Sequence, residues 1–377
     1  MSYTRDDLLR LAKRHHNTKR TYLLVDPLQG KHIPVSPKAA LSMMDALGEK
    51  LHECFPSVNL VIGFAETATA VASAAAARQG ADCMLVNTTR EADFLDGKTA
   101  IHFFEEHSHA VDQNLCLDGI TSVVERADTV AVVDDEFSTG KTLVNFIREL
   151  RAAFPALAEK KIVACSVISR LSDEQKAAFR KENIFTVSLL ELPFSDYTAD
   201  VARYAIAGAP VPPETEALPE VSFIDCVSPG EARFGVNAAG YKERSEQMAE
   251  ALFGILRGEK DLRTVTVLGT EEYMYPGLAA GAVLESKMPD LLFRYHATTR
   301  SPIGICSSEG YPITCGFRIR SFYSLERETY LYDIMPCDAA VVFTDSGNEP
   351  AVLAAVQDLR KIFGPAGCKK IIVARSK

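Results

Sequence analysis

Short apolar runs alternate with longer amphipathic segments along most of the chain. Runs of about four to eight apolar residues predict buried strands, whereas apolar residues spaced three and four apart predict helices. The predicted strands are 22–25, 60–63, 83–87, 130–133, 162–169, 185–189, 265–269, 291–296, 339–344 and 371–374. The predicted helices are 4–16, 36–54, an Ala-rich helix ending near Arg78, 142–154, 173–182, 276–284 and 350–363. This alternation indicates an α/β fold with parallel sheets and helices on both faces.

A proline-rich segment divides this pattern in two. Residues 208–219 contain four prolines in twelve positions, and proline both fixes the backbone and removes hydrogen-bond donors. We therefore predict a first domain over 1–207, a linker over 208–220 and a second, Rossmann-like α/β domain over 221–377.

The two halves also share local sequence signals. Three of them recur in the same order: Gly-x-x-Glu at 63–66 and 269–272, Thr-Thr-Arg at 88–90 and 298–300, and Ala-Val-Val at 131–133 and 340–342. They suggest that the second domain arose by duplication of the first. The alternative is a chance match, since short apolar strands resemble one another easily.

Charge and composition narrow the expected partners. The formal net charge is −9 and no block rich in Lys or Arg is present, so nucleic acid is not the expected partner. Nine cysteines occur without a Cys-x-x-Cys pair, which argues against a structural zinc site and favours free thiols in a reducing cytoplasm. Neither a signal peptide nor a membrane span is expected.

The clearest candidate chemistry lies in residues 130–142. An apolar strand is followed by Asp134 and Asp135, and then by Ser138-Thr139-Gly140-Lys141-Thr142 at the start of a helix. Ligands of open α/β sheets bind at the carboxyl ends of strands, and a helix N-terminus suits a phosphate. The two carboxylates can accept hydrogen bonds from a sugar diol, so the segment predicts a site for a ribose 5-phosphate.

Two other interpretations of this segment are open. The end Gly140-Lys141-Thr142 satisfies a nucleotide-binding P-loop, but the first glycine of that motif would fall at Asp135, where an acid would face phosphates. The segment could also be an acidic surface turn before a helix.

The segment resembles the ribose-phosphate signature of type I phosphoribosyltransferases. The resemblance implies that Asp134 and Asp135 bind the ribose hydroxyls of phosphoribosyl pyrophosphate (PRPP), and Mg²⁺ indirectly through those hydroxyls or water. It assigns the 5-phosphate to the residues from Ser138 to Thr142. Glu136 is an additional acid that could contact the base or the metal, or simply face water.

Two further segments fit the same family. The turn that contains Ala65, Glu66 and Thr67 resembles the loop whose backbone amides face the departing pyrophosphate. Arg90 is the candidate pyrophosphate contact, or alternatively a partner in a surface ion pair. Residues 92–117 are then predicted to be an irregular mobile loop, whose Glu105-Glu106-His107-Ser108-His109 run could bind a metal or shuttle protons, or could be a solvated segment.

The whole chain is similar to a narrower group of two-domain bacterial proteins encoded with tellurite-resistance and stress genes. Their second domain is named for a Thr-Arg-Ser-Pro signature, found here at 299–302. The resemblance implies a Mg²⁺-dependent phosphoribosyltransferase that joins PRPP to an unknown base in nucleotide metabolism, and a possible homodimer. The alternative is a regulator or scaffold that binds PRPP or a nucleotide without turnover.

Two features qualify this expectation. Hypoxanthine–guanine enzymes have an aspartate at the position of Ser138, so ordinary 6-oxopurine salvage is not expected. In the second domain, the equivalent of the acid pair is lost, but four arginines could form an anion site or, alternatively, domain-interface ion pairs. These are Arg233, Arg300, Arg318 and Arg320.

Overall fold

Strands and helices alternate through the residues that this computed structural model describes, which are 3–15, 17, 20–103 and 113–377. The strands are β1 (Arg10–Lys13), β2 (Tyr22–Val25), β3 (Val58–Gly63), β4 (Met84–Asn87), β5 (Ala100–Phe103), β6 (Gln113–Cys116), β7 (Thr129–Phe137), β8 (Lys161–Ser169), β9 (Ile184–Glu191), β10 (Glu220–Cys226), β11 (Val236–Asn237), β12 (Thr264–Gly269), β13 (Leu292–Ala297), β14 (Gly316–Arg320), β15 (Glu328–Tyr332), β16 (Ala339–Thr344) and β17 (Lys370–Ser376). The helices are α1 (Arg5–Leu8), α2 (Pro37–Cys54), α3 (Ala68–Ala77), α4 (Thr121–Arg126), α5 (Lys141–Ala153), α6 (Asp173–Lys181), α7 (Thr198–Ala202), α8 (Ala238–Gly258), α9 (Tyr275–Lys287) and α10 (Glu349–Phe363).

The chain divides into two compact units whose segments interleave along the sequence. The first unit consists mainly of Ser42–Ser195 and Pro229–Glu243. The second contains Arg5–Leu41, Asp196–Ser228 and Arg244–Lys377. These units differ from the predicted ranges because residues near the N-terminus belong to the second unit. The boundary at 208–220 stays a prediction about the two halves of the sequence.

The first unit is built on a six-stranded sheet in the order β11-β4-β3-β7-β8-β9. Strands β4, β3, β7, β8 and β9 are parallel, and the two-residue strand β11 pairs antiparallel with the edge of β4. Gly63 of β3 lies opposite both Asn87 of β4 and Val133 of β7. Strands β3 and β4 therefore end beside Val133, and β7 continues along the same edge of the sheet to Phe137.

Apolar packing fixes the position of that edge. Val130 and Val132 of β7 and Leu143 of α5 belong to one buried cluster. In the same cluster, the ring of Phe146 on α5 lies 5.0 Å from that of Phe64 and 4.7 Å from that of Phe103, between centroids. The turn after β3, the strand β5 and the helix after β7 are thus held by one set of aromatic contacts.

The second unit contains a five-stranded, fully parallel sheet in the order β10-β17-β16-β12-β13. Gly269 of β12 lies opposite Ala297 of β13 and Phe343 of β16. Its core joins these strands to α10 through buried residues such as Val342 and Leu359. Antiparallel pairs β1–β2 and β14–β15 accompany the sheet.

Helix starts follow ordinary capping chemistry. The Ser36 hydroxyl accepts a hydrogen bond from the Ala39 amide (3.2 Å), and Pro37 begins α2. Ser172 and Gln175 form a reciprocal capping box at the start of α6. The Asn348 side chain caps α10. Among the described residues, no helix is long and apolar enough to cross a membrane.

The predicted α/β class is confirmed, while several predicted elements are wrong. The helix predicted over 4–16 ends at Leu8, and Arg10–Lys13 instead forms β1. The strand predicted over 130–133 continues to Phe137, so the acids lie within it. The stretch 92–117 is not irregular at its ends, because β5 and β6 pair there. Strands β10, β14 and β15 and helix α8 were not predicted.

Candidate functional site

Three loops meet at the carboxyl edge of the first sheet. They follow Gly63 of β3, Asn87 of β4 and Phe137 of β7. Adjacent parallel strands are about 4.8 Å apart, and Gly63 and Asn87 are level with Val133, after which β7 continues to Phe137. The sequence-predicted residues from Ala65 to Thr67, Arg90, and the segment from Asp134 to Thr142 therefore belong to one edge of one sheet.

The acid pair lies in the last part of β7. Asp134 and Asp135 are both half-buried, and the Asp135 amide donates a hydrogen bond to Asp134 Oδ1 (2.9 Å). Both acids therefore lie inside the strand, shortly before it ends at Phe137. Within the described part of the chain, Asp135 forms no salt bridge.

The third acid, Glu136, is part of a buried ion pair. Its Oε1 atom accepts hydrogen bonds from Arg170 Nε (2.9 Å) and Nη2 (2.8 Å), and Arg170 is only 1% exposed. Arg170 Nη1 also donates to the Ser195 carbonyl (2.8 Å), and its guanidinium lies over the Phe194 ring. Glu136 is therefore paired with Arg170, a residue that no sequence motif singles out.

The turn after β7 is shaped by Gly140. This residue adopts φ +70°, and a Cβ atom there would lie 2.5 Å from Cζ of Phe179, so only glycine fits. The Gln175 side chain holds the turn by donating to the Thr139 carbonyl (3.1 Å). Helix α5 starts at Lys141, and the amides of its first turn have no carbonyl partner within the helix. They and the positive end of the helix dipole suit a phosphate.

The turn after β3 is tied to its neighbours through Thr88. The Ala65 amide donates to Thr88 Oγ1 (2.8 Å), which donates in turn to Gln113 Oε1 (2.6 Å). Glu66 is buried, and the peptide between Ala65 and Glu66 is cis. The Ala65 amide is thus directed into the protein, which corrects the expectation that it faces a leaving group.

Arg90 follows the strand next to this turn. It is half-buried and lies between Thr89 and Glu91, which are both buried. The backbone of Thr89 pairs with Asn114 in both directions (2.8 and 2.9 Å), and Thr89 Oγ1 accepts from the Glu91 amide (3.0 Å). The backbone on both sides of Arg90 is therefore fixed.

Family models match most of the chain. Residues 8–192 match a model described as phosphoribosyl transferase. Residues 230–359 match the TRSP domain, which is described as C-terminal to that transferase domain. The chain belongs to the phosphoribosyltransferase family with a C-terminal TRSP domain.

Solved structures resemble half of the chain. Adenine phosphoribosyltransferase from Leishmania tarentolae is 16% identical, with a TM-score of 0.33, over 50% of this chain and 85% of that one. Orotate phosphoribosyltransferase from Aeropyrum pernix is 17% identical, with a TM-score of 0.29, over 50% and 89%. The Trypanosoma brucei adenine enzyme, in complex with AMP, pyrophosphate and ribose-5-phosphate, is 12% identical, with a TM-score of 0.35, over 50% and 82%. Scores this low add nothing to the family assignment. No curated protein matches the sequence.

Each of the four arginines predicted as an anion site of the TRSP domain has a carboxylate partner. Arg320 forms two hydrogen bonds with Asp358 (2.6 and 2.8 Å), and Arg318 lies 3.3 Å from Glu328. Arg300 pairs with Glu271 (2.9 Å). Arg233 belongs to the first unit and pairs with Glu231 (2.8 Å). Because every one of these guanidiniums has a carboxylate partner, anion binding by them stays a prediction without structural support.

Few of the described residues are suited to bind a metal ion. Among the residues described, no group of three or more His, Cys, Asp or Glu side chains is arranged to hold a metal ion. The histidines at 107 and 109 lie outside the described residues. The oxygen donors at the transferase edge are the half-buried carboxylates of Asp134 and Asp135, whose chemistry fits a hard cation that is shared with a substrate.

Sequence reasoning missed Thr88, Gln113 and Arg170. For Thr88 a signal existed, because the Thr-Thr-Arg signal at 88–90 recurs at 298–300. Gln113 and Arg170 had none, because each is distant in sequence from the group that it contacts.

Proposed function

We propose that the first unit binds PRPP and transfers its ribose 5-phosphate to a nitrogen acceptor, with release of pyrophosphate. The observation that supports this most strongly is the convergence of three loops at the carboxyl ends of β3, β4 and β7. One loop begins beside two carboxylates and ends at a helix N-terminus. That combination suits a molecule with a diol near a phosphate.

Each part of this edge has a separate task. Asp134 and Asp135 accept hydrogen bonds from the ribose hydroxyls. The first-turn amides of α5 and the hydroxyls of Ser138, Thr139 and Thr142 bind the 5-phosphate. Lys141, which is exposed, adds positive charge at the same turn.

The pyrophosphate lies toward the neighbouring loops, where Arg90 and the turn at Glu66 and Thr67 contact it. In the reaction the bond between C1 and the pyrophosphate oxygen breaks, and its electron pair leaves with pyrophosphate. A bond forms between C1 and the acceptor nitrogen, and the proton of that nitrogen is released to solvent. Positive charge from Arg90 stabilises the departing anion. Mg²⁺, when bound beside Asp134 and Asp135 through ribose hydroxyls or water, supplies further positive charge to the pyrophosphate.

The finer assignments rest on the family resemblance alone. They are a ribonucleotide-like product linked to stress or tellurite resistance, a cytoplasmic location and a homodimer. The acceptor is a nitrogen base or a base-like molecule.

A regulator that binds PRPP without turnover is the second candidate. Two observations favour it: Glu136 is held by Arg170, and the turn carries Ser138 in place of an acid. Neither group is then available as a base for the acceptor. Pyrophosphate release measured with a panel of nucleobases separates the two candidates, because only the enzyme releases it.

The binding proposal is tested by Asp134→Asn and Asp135→Asn. Each change removes one charge-assisted hydrogen bond worth about 1.5–3 kcal/mol, so PRPP affinity falls about 10- to 100-fold. Isothermal titration with PRPP and Mg²⁺ measures the change. Asp345→Asn, at the corresponding strand end of the second unit, is the matched control and leaves the affinity unaltered. Equal affinities of wild type and both variants would reject the assignment.

A further inference from the structure

A segment that belongs to the TRSP half of the sequence completes the first unit. The segment 231–237, which we call the clasp, ends in β11 on the edge of β4. Val236 pairs with Leu85, and the Ala238 amide donates to the Cys83 carbonyl (2.9 Å). The clasp is therefore anchored to the strand whose carboxyl end leads to Arg90.

Arg233 is the buried charge of the clasp. It is 4% exposed, and its Nη1 atom lies 2.8 Å from Glu231 Oε2. Its guanidinium carbon stands 4.0 Å from the centroid of the Phe94 ring, which is within the range of a cation–π contact. The Arg233 guanidinium is thus held between the Glu231 carboxylate and the Phe94 ring of the transferase domain.

The clasp also contacts the far flank of the β5–β6 pair. A Cβ atom on Gly119 would lie 1.5 Å from the Phe234 carbonyl oxygen, so the two backbones meet directly. On the near flank, Lys98 Nζ lies 5.3 Å from the centroid of the Phe234 ring. The segments that precede β5 and follow β6 therefore both pack against Phe234 of the clasp.

The position of Phe94 connects this contact to the site. Phe94 lies in the 3₁₀ turn Ala92–Leu95, which begins directly after Glu91. Together with the hydrogen bonds of Thr89, the place where that turn is held therefore sets the direction in which the chain leaves Arg90. We propose that Arg233 is a positioning residue, which fixes Arg90 for pyrophosphate binding by holding Phe94.

Stability alone is a poor reason for this arrangement. Burying a guanidinium costs free energy unless it is well paired, and apolar residues of similar volume commonly serve a core as well or better. The aromatic partner, Phe94, is only half-buried, so the contact adds little to the core. Its direct consequence is a fixed turn beside Arg90.

The test rests on the proposed function and uses the full-length protein. Binding of pyrophosphate with Mg²⁺, and separately of ribose 5-phosphate, is titrated for wild type, Arg233→Ala, Phe94→Leu and Phe94→Tyr. The first two variants weaken pyrophosphate binding about 3- to 30-fold, the range that one cation–π contact supplies. Ribose 5-phosphate affinity stays unchanged, because its loop follows β7. Phe94→Tyr keeps an aromatic face and restores wild-type affinity.

The outcomes distinguish the two proposals. Equal losses for both ligands, no loss for either, or a Phe94→Tyr variant as weak as Phe94→Leu would each overturn the role of Arg233 while the transferase assignment stands. A wild-type protein that binds neither ligand would reject both. If Arg233→Ala does not fold, Phe94→Leu carries the test, since it removes the same contact from a half-buried position.

Discussion

The two sheets carry the same frame at their carboxyl edges but different chemistry. In the first unit, Thr88 Oγ1 accepts a hydrogen bond from the Ala65 amide (2.8 Å). In the second, Thr298 Oγ1 accepts one from the Glu271 amide (2.9 Å). Each threonine also donates its own amide to the glycine that ends the neighbouring strand (2.8 and 3.0 Å). This agreement in geometry supports the duplication that the sequence suggested.

The two edges differ in the residue whose amide binds the threonine, which is Ala65 in the first unit and Glu271 in the second. Ala65 has no polar side chain, whereas Glu271 is fully buried and binds Arg300 and Arg327, each at 2.9 Å. Ser321 also donates to it. The second edge therefore supplies its own anion at the point where the first has a buried alanine.

The strand ends that follow diverge in the same way. Beyond β7 the chain enters the glycine turn and α5, whereas beyond β16 Asp345 accepts a hydrogen bond from the Tyr323 hydroxyl. Charges at the second edge are paired within the protein, since two glutamates, Glu271 and Glu272, face two arginines. The hydrogen bonds of the two threonines are shared, but the charges at the second edge are balanced internally.

The largest expected effect comes from breaking the ion pairs of Glu271. Glu271→Gln leaves Arg300 and Arg327 without their buried carboxylate, and removing one partner of a buried pair costs about 3–5 kcal/mol. We expect the free energy of unfolding, measured with urea, to fall by about that amount. PRPP binding by the first unit does not change.

The control for this prediction is an exposed ion pair of the same unit. Glu250 pairs with Lys287 on the surface, and such pairs contribute about 0–1 kcal/mol. If Glu271→Gln costs no more than Glu250→Gln, the second edge is not held by its internal anion, and the contrast drawn above fails.

The glycines that follow the two central strands offer a second, smaller contrast. Gly140→Ala forces a side chain into φ +70° and against Phe179, at a cost of about 1–3 kcal/mol, and displaces the turn that we propose binds the 5-phosphate. Gly347→Ala meets no atom within 4 Å and is the matched control. Thermal unfolding and PRPP titration of both variants measure the difference. Similar behaviour of the two would show that the first turn has no special geometry.

Local patterns predicted the central strands and the helix after Asp134 well, because apolar periodicity and capping are encoded within a few residues. They failed over 4–16, where tertiary pairing with β2 overrides the apolar spacing. They left alternatives open for the four arginines and for Glu136. Those side chains are defined by partners far along the chain, such as Asp358 for Arg320 and Arg170 for Glu136. The strands and turns of the candidate site are thus encoded locally in the sequence, whereas the ion pairs of these charged side chains are not.

A last contrast uses pH to separate the units. His296 of the second unit is fully buried: its Nδ1 accepts from the Ala297 amide (2.8 Å), so Nε2 donates to the Tyr332 carbonyl (2.6 Å). Burial lowers its pKa from 6.5 to about 4, and burial also lowers the pKa of His32. Between pH 6.5 and about 4, His296 binds a proton in the unfolded chain but not in the folded chain.

Stability is therefore complete above pH 6.5 and falls as the pH drops toward 4, by up to about 1.4 kcal/mol per pH unit for His296. Hydrogen exchange followed by mass spectrometry at pH 7 and pH 5 reports each unit separately, and we expect the second to lose protection first. His296→Gln flattens this dependence, whereas His52→Gln, at an exposed position of α2, does not. Loss of protection in the first unit before the second would mean that the acid sensitivity follows the transferase edge instead, because the buried histidines described here lie in the other unit.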